Sequence, residues 1–355
     1  MDVDLSSIPG WCVLKDLGTT NREVFKVDEE GRYNLDRVKM VIEIVKKRWM
    51  EIKESDPIYA FVKPEPHKRE KLNSGRLRLI SGISLIDSLI DRLLFMKWTL
   101  KTRQMLTKTP IAVGWTPLDA VKFHHMMGGM HEQYLDVDKS AWDWSLKPWI
   151  LDMVKRVLCG LVVAPTWWHQ RVNKRFELLF GNPIWKFQDS SMIQQKQPGI
   201  MKSGCYMTIW INSIGQLILH QLAQSRCGVQ MHVPMVVGDD TTQPYYGEDV
   251  DAYLQETRNL GFVIKPSIGR IAEFCGFRFD GFKSLPAYRS KHQFLLRHLT
   301  LDDEIATQTI QSYQLLYYND KYALQQIRTL AIQRGLLKAV VPDHVLWLII
   351  DGLQT

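Results

Sequence analysis

Apolar residues recur at helical spacing over residues 37–52, where Val38, Val41, Ile42, Val45 and Trp49 mark one face, and again over 84–100. Shorter apolar runs bounded by turn residues predict strands at 58–62 and 134–138, the second ending on Asp138. A helix is expected near Leu146, with Pro148 tolerable only in its first turn. Gln197-Pro-Gly199 to Gly204 reads as a flexible loop that opens a helix reaching about Ala223. Residues 233–237 and 241–245 form a predicted hairpin with Gly238-Asp239-Asp240 at its turn. A helix over 251–260, a strand over 262–265 and a short strand over 274–279 in a second hairpin follow, and the pattern is helical from about 300 onward. The first 35 residues read as extended segments and turns. No internal repeat or low-complexity tract is visible. This mixture predicts an α/β (α+β) chain, and 355 residues suffice for two or three lobes sharing a continuous core.

Charge changes the picture through its location. The net charge is +7. Residues 63–108 hold eleven Lys and Arg against Glu65, Glu70, Asp87 and Asp91, so this stretch matches the whole excess. A basic stretch suggests a polyanionic partner, with a solvated basic face as the plain alternative. Asp87 and Asp91 lie within the 84–100 helix and read as solvent or salt-bridge positions. Five scattered cysteines without a Cys-x-x-Cys fit reduced thiols. His124, His125 and His131 lack the partners of a zinc site. Trp167, Trp168 and Trp185 read as packing residues. No signal peptide is visible, and no apolar run approaches the ~20 residues that span a bilayer.

The chemistry lies in acids at strand ends and turns. Joining a 3′ hydroxyl to an α-phosphate is eased by two Mg²⁺ ions on the attacking and leaving oxygens. Mg²⁺ takes hard oxygen ligands, so two carboxylates from neighbouring strands suffice. Asp138 and Asp239 are the candidates, with Asp240 a weaker or outer ligand. Gly-Asp-Asp alone is only a turn signal; its conjunction with other strings gives it meaning. Asp143, five residues after Asp138, is a candidate to accept a hydrogen bond from a ribose 2′-hydroxyl. Thr208 and Asn212 are i and i+4 on one predicted helix face, with Ser203 in the loop before it, and together they are expected to hold Asp143 and read the ribose. Arg76 and Arg78 point to one side if their segment is extended, an arrangement that suits a triphosphate. Lys265 is placed to protonate leaving pyrophosphate.

These strings, in order, resemble the motifs of viral RNA-dependent RNA polymerases, and in particular the sobemovirus and solemovirus-like group. Residues 63–80 resemble motif F, 138–143 motif A, 203–212 motif B, 238–240 motif C, a segment ending near Lys265 motif D, and Phe274-Cys-Gly-Phe-Arg278 motif E. Upstream, Pro9-Gly10 through Leu17-Gly-Thr-Thr-Asn21 resembles motif G. The resemblance covers roughly residues 8–280. It implies a right-hand fold: fingers over 1–82 with an insertion over 161–198, palm over 83–160 and 199–284, and a helical thumb over 285–355. It implies metal binding by Asp138, Asp239 and Asp240, and ribonucleotide selection by Asp143, Ser203, Thr208 and Asn212. Lys63, Lys71, Arg76 and Arg78 would meet the triphosphate. Lys68, Arg69, Gly204, Phe274, Cys275 and Arg278 would contact RNA. The implied cofactor is a pair of Mg²⁺ ions with Mn²⁺ as a substitute. The implied partners are template and nascent RNA, ribonucleoside triphosphates, a protein primer and other viral replication proteins. The implied setting is the host cytoplasm, including membrane-associated replication complexes. Ile214-Gly215 after Asn212-Ser213 departs from the pattern of plant members and marks a divergent sequence.

Other readings explain less. A reverse transcriptase shares the acids but usually carries a bulky gate where Asp143 stands. A non-enzymatic RNA-binding protein accounts for the basic stretch but not for three acids that weaken phosphate binding. A metal-dependent nuclease has no need of a sugar-reading helix face. An inactive polymerase relic is the serious alternative, and the intact acids stand against it.

Overall fold

The computed structural model describes residues 3–67 and 69–353. Contacts divide the chain into two units, Met1–Gln104 with Ala141–Leu219, and Met105–Ser140 with His220–Thr355. The secondary structure mixes helices with three mainly antiparallel sheets.

In the first unit, β1 (Ile58–Val62) pairs antiparallel with β2 (Leu79–Gly82) and parallel with β4 (Ile184–Phe187), and β4 continues antiparallel into β5 (Met192–Gln194). Ile58, Ala60 and Trp185 form a small core on this sheet. The 37–52 periodicity becomes the helix Leu35–Met50, started by Asn34, whose side chain accepts the Asp36 and Arg37 N–H groups. The 84–100 pattern becomes Leu85–Gln104, and Pro148 opens the helix Pro148–Gly160, where its missing N–H costs nothing. The first 35 residues include the 3₁₀ turn Val13–Leu17 and the short helix Asn21–Val24, capped by Thr20. Asp87 and Asp91 are ion-pair positions, but buried ones. Arg48 spans Asp87 at 3.3 Å and Asp56 at 3.2 Å, and Arg175 from the helix Thr166–Phe180 holds Asp91 with two hydrogen bonds. Removing either partner of the Arg175–Asp91 pair would strand a charge in the interior. Trp168 and Trp185 pack inside, donating to the Leu94 carbonyl and the Gln195 amide. Trp167 instead lies on the surface, sharing the Arg171 guanidinium with Trp49.

In the second unit, β3 (Tyr134–Lys139) is central in an antiparallel sheet ordered β6-β7-β3-β8, with β6 (Met235–Val237), β7 (Asp240–Pro244) and β8 (Ile264–Gly269). Its aromatic core gathers Trp115, Phe123, Tyr134, Phe274 and Phe279, with Phe123 and Phe279 stacked at 4.0 Å. The expected strand over 274–279 is in fact two strands, β9 (Ala272–Phe274) and β10 (Phe277–Asp280). Cys275 at φ +51° and Gly276 at φ +75° turn the chain in two residues, which a strand cannot do and a primed turn requires. β11 (Lys283–Pro286) completes that three-stranded sheet. The α-helices Arg289–Arg297, Asp303–Leu316, Lys321–Gln333 and Asp343–Ile350 follow. No helix among the described residues is long and apolar enough to cross a membrane.

Candidate active site

In the second unit, the strand-end acid and the turn acids are brought to one end of the sheet. The β6–β7 hairpin turns on Gly238-Asp239, with Val237 opposite Asp240. Gly238 has φ +64° and Asp239 does not, the pattern of a turn that needs glycine at its first central position. β7 lies beside β3 with Asp136 opposite Thr242, so Asp239 and Asp240 arrive next to Asp138. Asp240 stays open to water, yet its carboxyl is pushed up to about 6, by desolvation first and then by Asp239 and Asp138. The repulsive part is what a cation relieves. The three donors are carboxylate oxygens, which suits a hard cation such as Mg²⁺. Among the described residues, no three His, Cys, Asp or Glu side chains form a ready metal cage.

Two groups in this cluster escaped the sequence reading. Lys139 follows Asp138, and strand alternation turns it inward with Leu135 and Val137. Its ammonium donates to the Val137 carbonyl and the Thr241 hydroxyl, both at 3.3 Å. Burial draws it down to about 8 against the pull of Asp239, Asp138 and Asp240. Strand parity alone would have exposed it. Asp136 accepts the Glu273 N–H at 2.9 Å, and burial raises its carboxyl to about 6. Lys265 stands opposite Asp138 across β3 and β8, its Nζ 3.7 Å from the carboxylate, with both side chains exposed.

In the first unit, Asp143 and Asn212 meet: the Asn212 amide donates to the Asp143 carboxylate at 2.9 Å. Asn212 is buried on the helix Thr208–Cys227, whose residues to Leu219 belong to this unit. Asp143 follows Ala141, a left-handed residue that turns the chain into Trp142–Ser145. Thr208 and Ser203 anchor the loop that runs into the helix Thr208–Cys227. The Thr208 hydroxyl lies 2.7 Å from the carbonyls of Lys202 and Cys205, closing the loop into the helix. Ser203 is paired with Ser81 on β2: its hydroxyl accepts the Ser81 N–H at 3.0 Å, and its own N–H donates to the Ser81 hydroxyl at 3.1 Å. Gly204 donates to the Ser81 carbonyl, and a Cβ there would stand 2.4 Å from that oxygen. Glycine is therefore needed for this close approach. Nothing in the local sequence marks Ser81.

The basic segment is not extended throughout. Residues Arg69–Asn73 are helical and Gly75 turns the chain, so Arg76 pairs with Glu70 at 3.0 Å while Arg78 pairs with Glu65 at 3.3 Å. Lys63 also reaches Glu65, at 3.1 Å. Lys71 and Arg69 are exposed on the short helix, and Lys68 lies outside the described residues. Phe274 is 1% exposed within the aromatic core, so it supports the β9–β10 turn from beneath and shows RNA no face. Arg278 is exposed on β10. Cys275 sits in the turn, its thiol pushed up by burial and then by Asp240 and Asp239.

Comparison with known proteins supplies the lineage. Residues 17–267 match the family described as viral RNA-dependent RNA polymerase. "Protein P1-P2" of Potato leafroll virus is 29% identical over 290 residues, 77% of this chain and 26% of that protein. The "RNA-directed RNA polymerase" of Mushroom bacilliform virus is 28% identical over 259 residues, 68% of this chain and 61% of that protein. The "Replicase polyprotein P2AB" of Cocksfoot mottle virus is 32% identical over 206 residues, covering 54% of this chain and 21% of the polyprotein. The chain thus spans about a quarter of the length of the first of these relatives. The family match extends through every acid of the β3, β6 and β7 cluster and through the Asp143–Asn212 pair, and the chain belongs to the viral RNA-dependent RNA polymerase family.

Proposed function

We propose that this chain is an RNA-directed RNA polymerase that transfers ribonucleotides to an RNA 3′ hydroxyl, replicating and transcribing a positive-strand RNA virus genome in the host cytoplasm. The observation that carries the reading is the meeting of Asp138 with Asp239 and Asp240 at adjacent strand ends, in a chain of this family. In this reading Asp138 and Asp239 hold two Mg²⁺ ions, or Mn²⁺ in their place, and Asp240 assists. Bound there, the ions would offset charge on the attacking and leaving oxygens. Lys265 gives a proton to departing pyrophosphate. Lys63, Lys71, Arg76 and Arg78 exchange their glutamate partners or water for triphosphate oxygens, to which guanidinium groups bind in bidentate fashion.

Asp143 reads the sugar. A carboxylate accepts a hydrogen bond from a 2′-hydroxyl and gains nothing from its absence. The Asn212 amide fixes the carboxylate that must do this. Ser203 and Thr208 serve through the loop that they close. Arg69, Lys68, Gly204, Cys275 and Arg278 lie along the RNA.

The fold proposed is the right-hand polymerase fold, with β1, β2, β4 and β5 in the fingers, the β6-β7-β3-β8 sheet in the palm and the helices after residue 285 in a small thumb. A protein primer and other replication proteins are the proposed partners. The test is extension of an annealed RNA primer–template by the purified chain with Mg²⁺ or Mn²⁺. Extension by the wild type, lost in Asp239→Ala, is expected. A folded chain that binds RNA but extends nothing would favour an inactive relic.

A further inference from the structure

Lys202 is fully buried immediately before Ser203, and among the described residues it makes no ion pair with a carboxylate. Its ammonium donates three hydrogen bonds: to the Gln195 amide oxygen at 3.0 Å, the Gly199 carbonyl at 3.0 Å and the Ile200 carbonyl at 2.8 Å. The rings of Phe180 and Trp185 flank it at 5.3 and 5.5 Å. Three donors thus meet three acceptors, which is how a buried ammonium is satisfied without a counter-ion.

The backbone gathered around this ammonium is strained. Ile200 has φ +58°, an outlying conformation for a β-branched residue, and Gly199 has φ +112°. A Cβ at Gly199 would stand 2.7 Å from the Leu146 carbonyl. The same loop braces the segment that carries Asp143. Ile200 N–H donates to the Leu146 carbonyl at 3.1 Å, and Met201 N–H to the Asp143 carbonyl at 2.7 Å. The Lys202 carbonyl in turn faces the Thr208 hydroxyl at 2.7 Å.

We propose that Lys202 is a positioning residue: its ammonium, clasped by Gln195, Gly199 and Ile200, holds the strained 199–204 loop that sets Asp143, Ser203 and Thr208 for ribose recognition. The inference rests on the sugar-reading role proposed above for Asp143. Its charge is conditional, because desolvation draws Lys202 down to about 7. Around it, the titratable neighbour is Cys205, whose thiol burial pushes up to about 12 and so keeps neutral; beyond lie Asp91 and Arg175, which neutralise each other. A neutral amine has two N–H groups for the three acceptors, so one of the three contacts of the clasp is lost as pH rises through about 7.

The experiment compares wild type, Lys202→Met and Gln195→Leu in single-nucleotide addition, with matched ribo- and deoxyribonucleotides from pH 6 to 8.5. The ratio of the two rates cancels titrations that act on both substrates alike. We expect discrimination in the wild type to weaken as pH rises. It should fall about tenfold and lose its pH dependence in Lys202→Met, with Gln195→Leu between. Amide exchange at residues 199–201 should quicken in both variants, a readout that requires no activity. Unchanged discrimination in a folded Lys202→Met chain would overturn the proposal, whatever the exchange shows. Should that variant not fold, a flat wild-type discrimination profile across this pH range would overturn it equally. No nucleotide addition by the wild type would instead count against the polymerase reading, and unchanged exchange in both variants would count against the clasp itself.

Discussion

Asp143 and Asn212 lie 69 residues apart in sequence and share one hydrogen bond, so each is expected to matter through the other. Asn212→Ala should remove this hydrogen bond from the Asp143 carboxylate and lower the preference for ribonucleotides by about tenfold, and adding Asp143→Ala should cost far less than the sum of the single effects. Steady-state addition of matched ribo- and deoxyribonucleotides by the two single variants and the double variant checks this; additive losses would separate the residues. At the acid cluster, the sign of the pH effect follows from Asp240. Its folded carboxyl sits at about 6 against 3.8 when unperturbed, so this group's contribution to stability is whole below the lower value and is lost as pH rises through the higher one. A cation should restore it. Mg²⁺ or Mn²⁺ should therefore raise the melting temperature clearly at pH 7.5 and much less at pH 5, and not at all in Asp239→Ala. Equal shifts at both pH values would mean that relief of the charge on Asp240 is not the cause. At this scale the sequence made the juxtapositions legible: type and spacing bring Asp138 beside Asp239 and Asp240, and Asp143 beside Asn212. Ser81, Asp136 and the clasp on Lys202 were not legible, because their roles come from neighbours distant in the chain or from backbone carbonyls that any residue supplies.

Elements were legible where periodicity ran long and illegible where single dihedrals decide. The helices Leu35–Met50 and Leu85–Gln104 and the strand Tyr134–Lys139 follow their patterns closely. In the basic segment the extended arrangement was only conditional, and single dihedrals decide against it: Arg69–Asn73 closes as a helical turn stopped by Gly75. The helix Thr208–Cys227 offers a prediction of its own. Near its end, His220 accepts from the Gln224 amide at 2.8 Å and shares a 3.0 Å hydrogen bond with Tyr253 of the helix Val250–Asn259. This requires a neutral ring, and burial draws it down to about 4. Below pH 6.5 the unfolded chain takes up a proton that the folded chain refuses. Stability from this site is thus whole above 6.5 and falls with acid, by up to about 3 kcal/mol near pH 4. Denaturant titrations at pH 7, 6 and 5 should show this slope in the wild type and a shallower one in His220→Gln. Equal slopes would place the acid sensitivity elsewhere.

For the whole molecule, the +7 charge takes on meaning once its acids are located. Asp87 and Asp91 are spent inside, on Arg48 and Arg175, so the basic surface of residues 63–108 is richer than the count suggests. Charge alone does not say which polyanion would be bound; the proposal of RNA rests on the acid cluster and the family. The most direct measurement of the central claim is which nucleotide is joined to an RNA primer opposite each of the four template bases, for wild type and Asp138→Ala with Mg²⁺. The wild type should add the complementary ribonucleotide in each case, and the variant should add none. Addition that ignores the template, or that survives the loss of Asp138, would contradict the central claim.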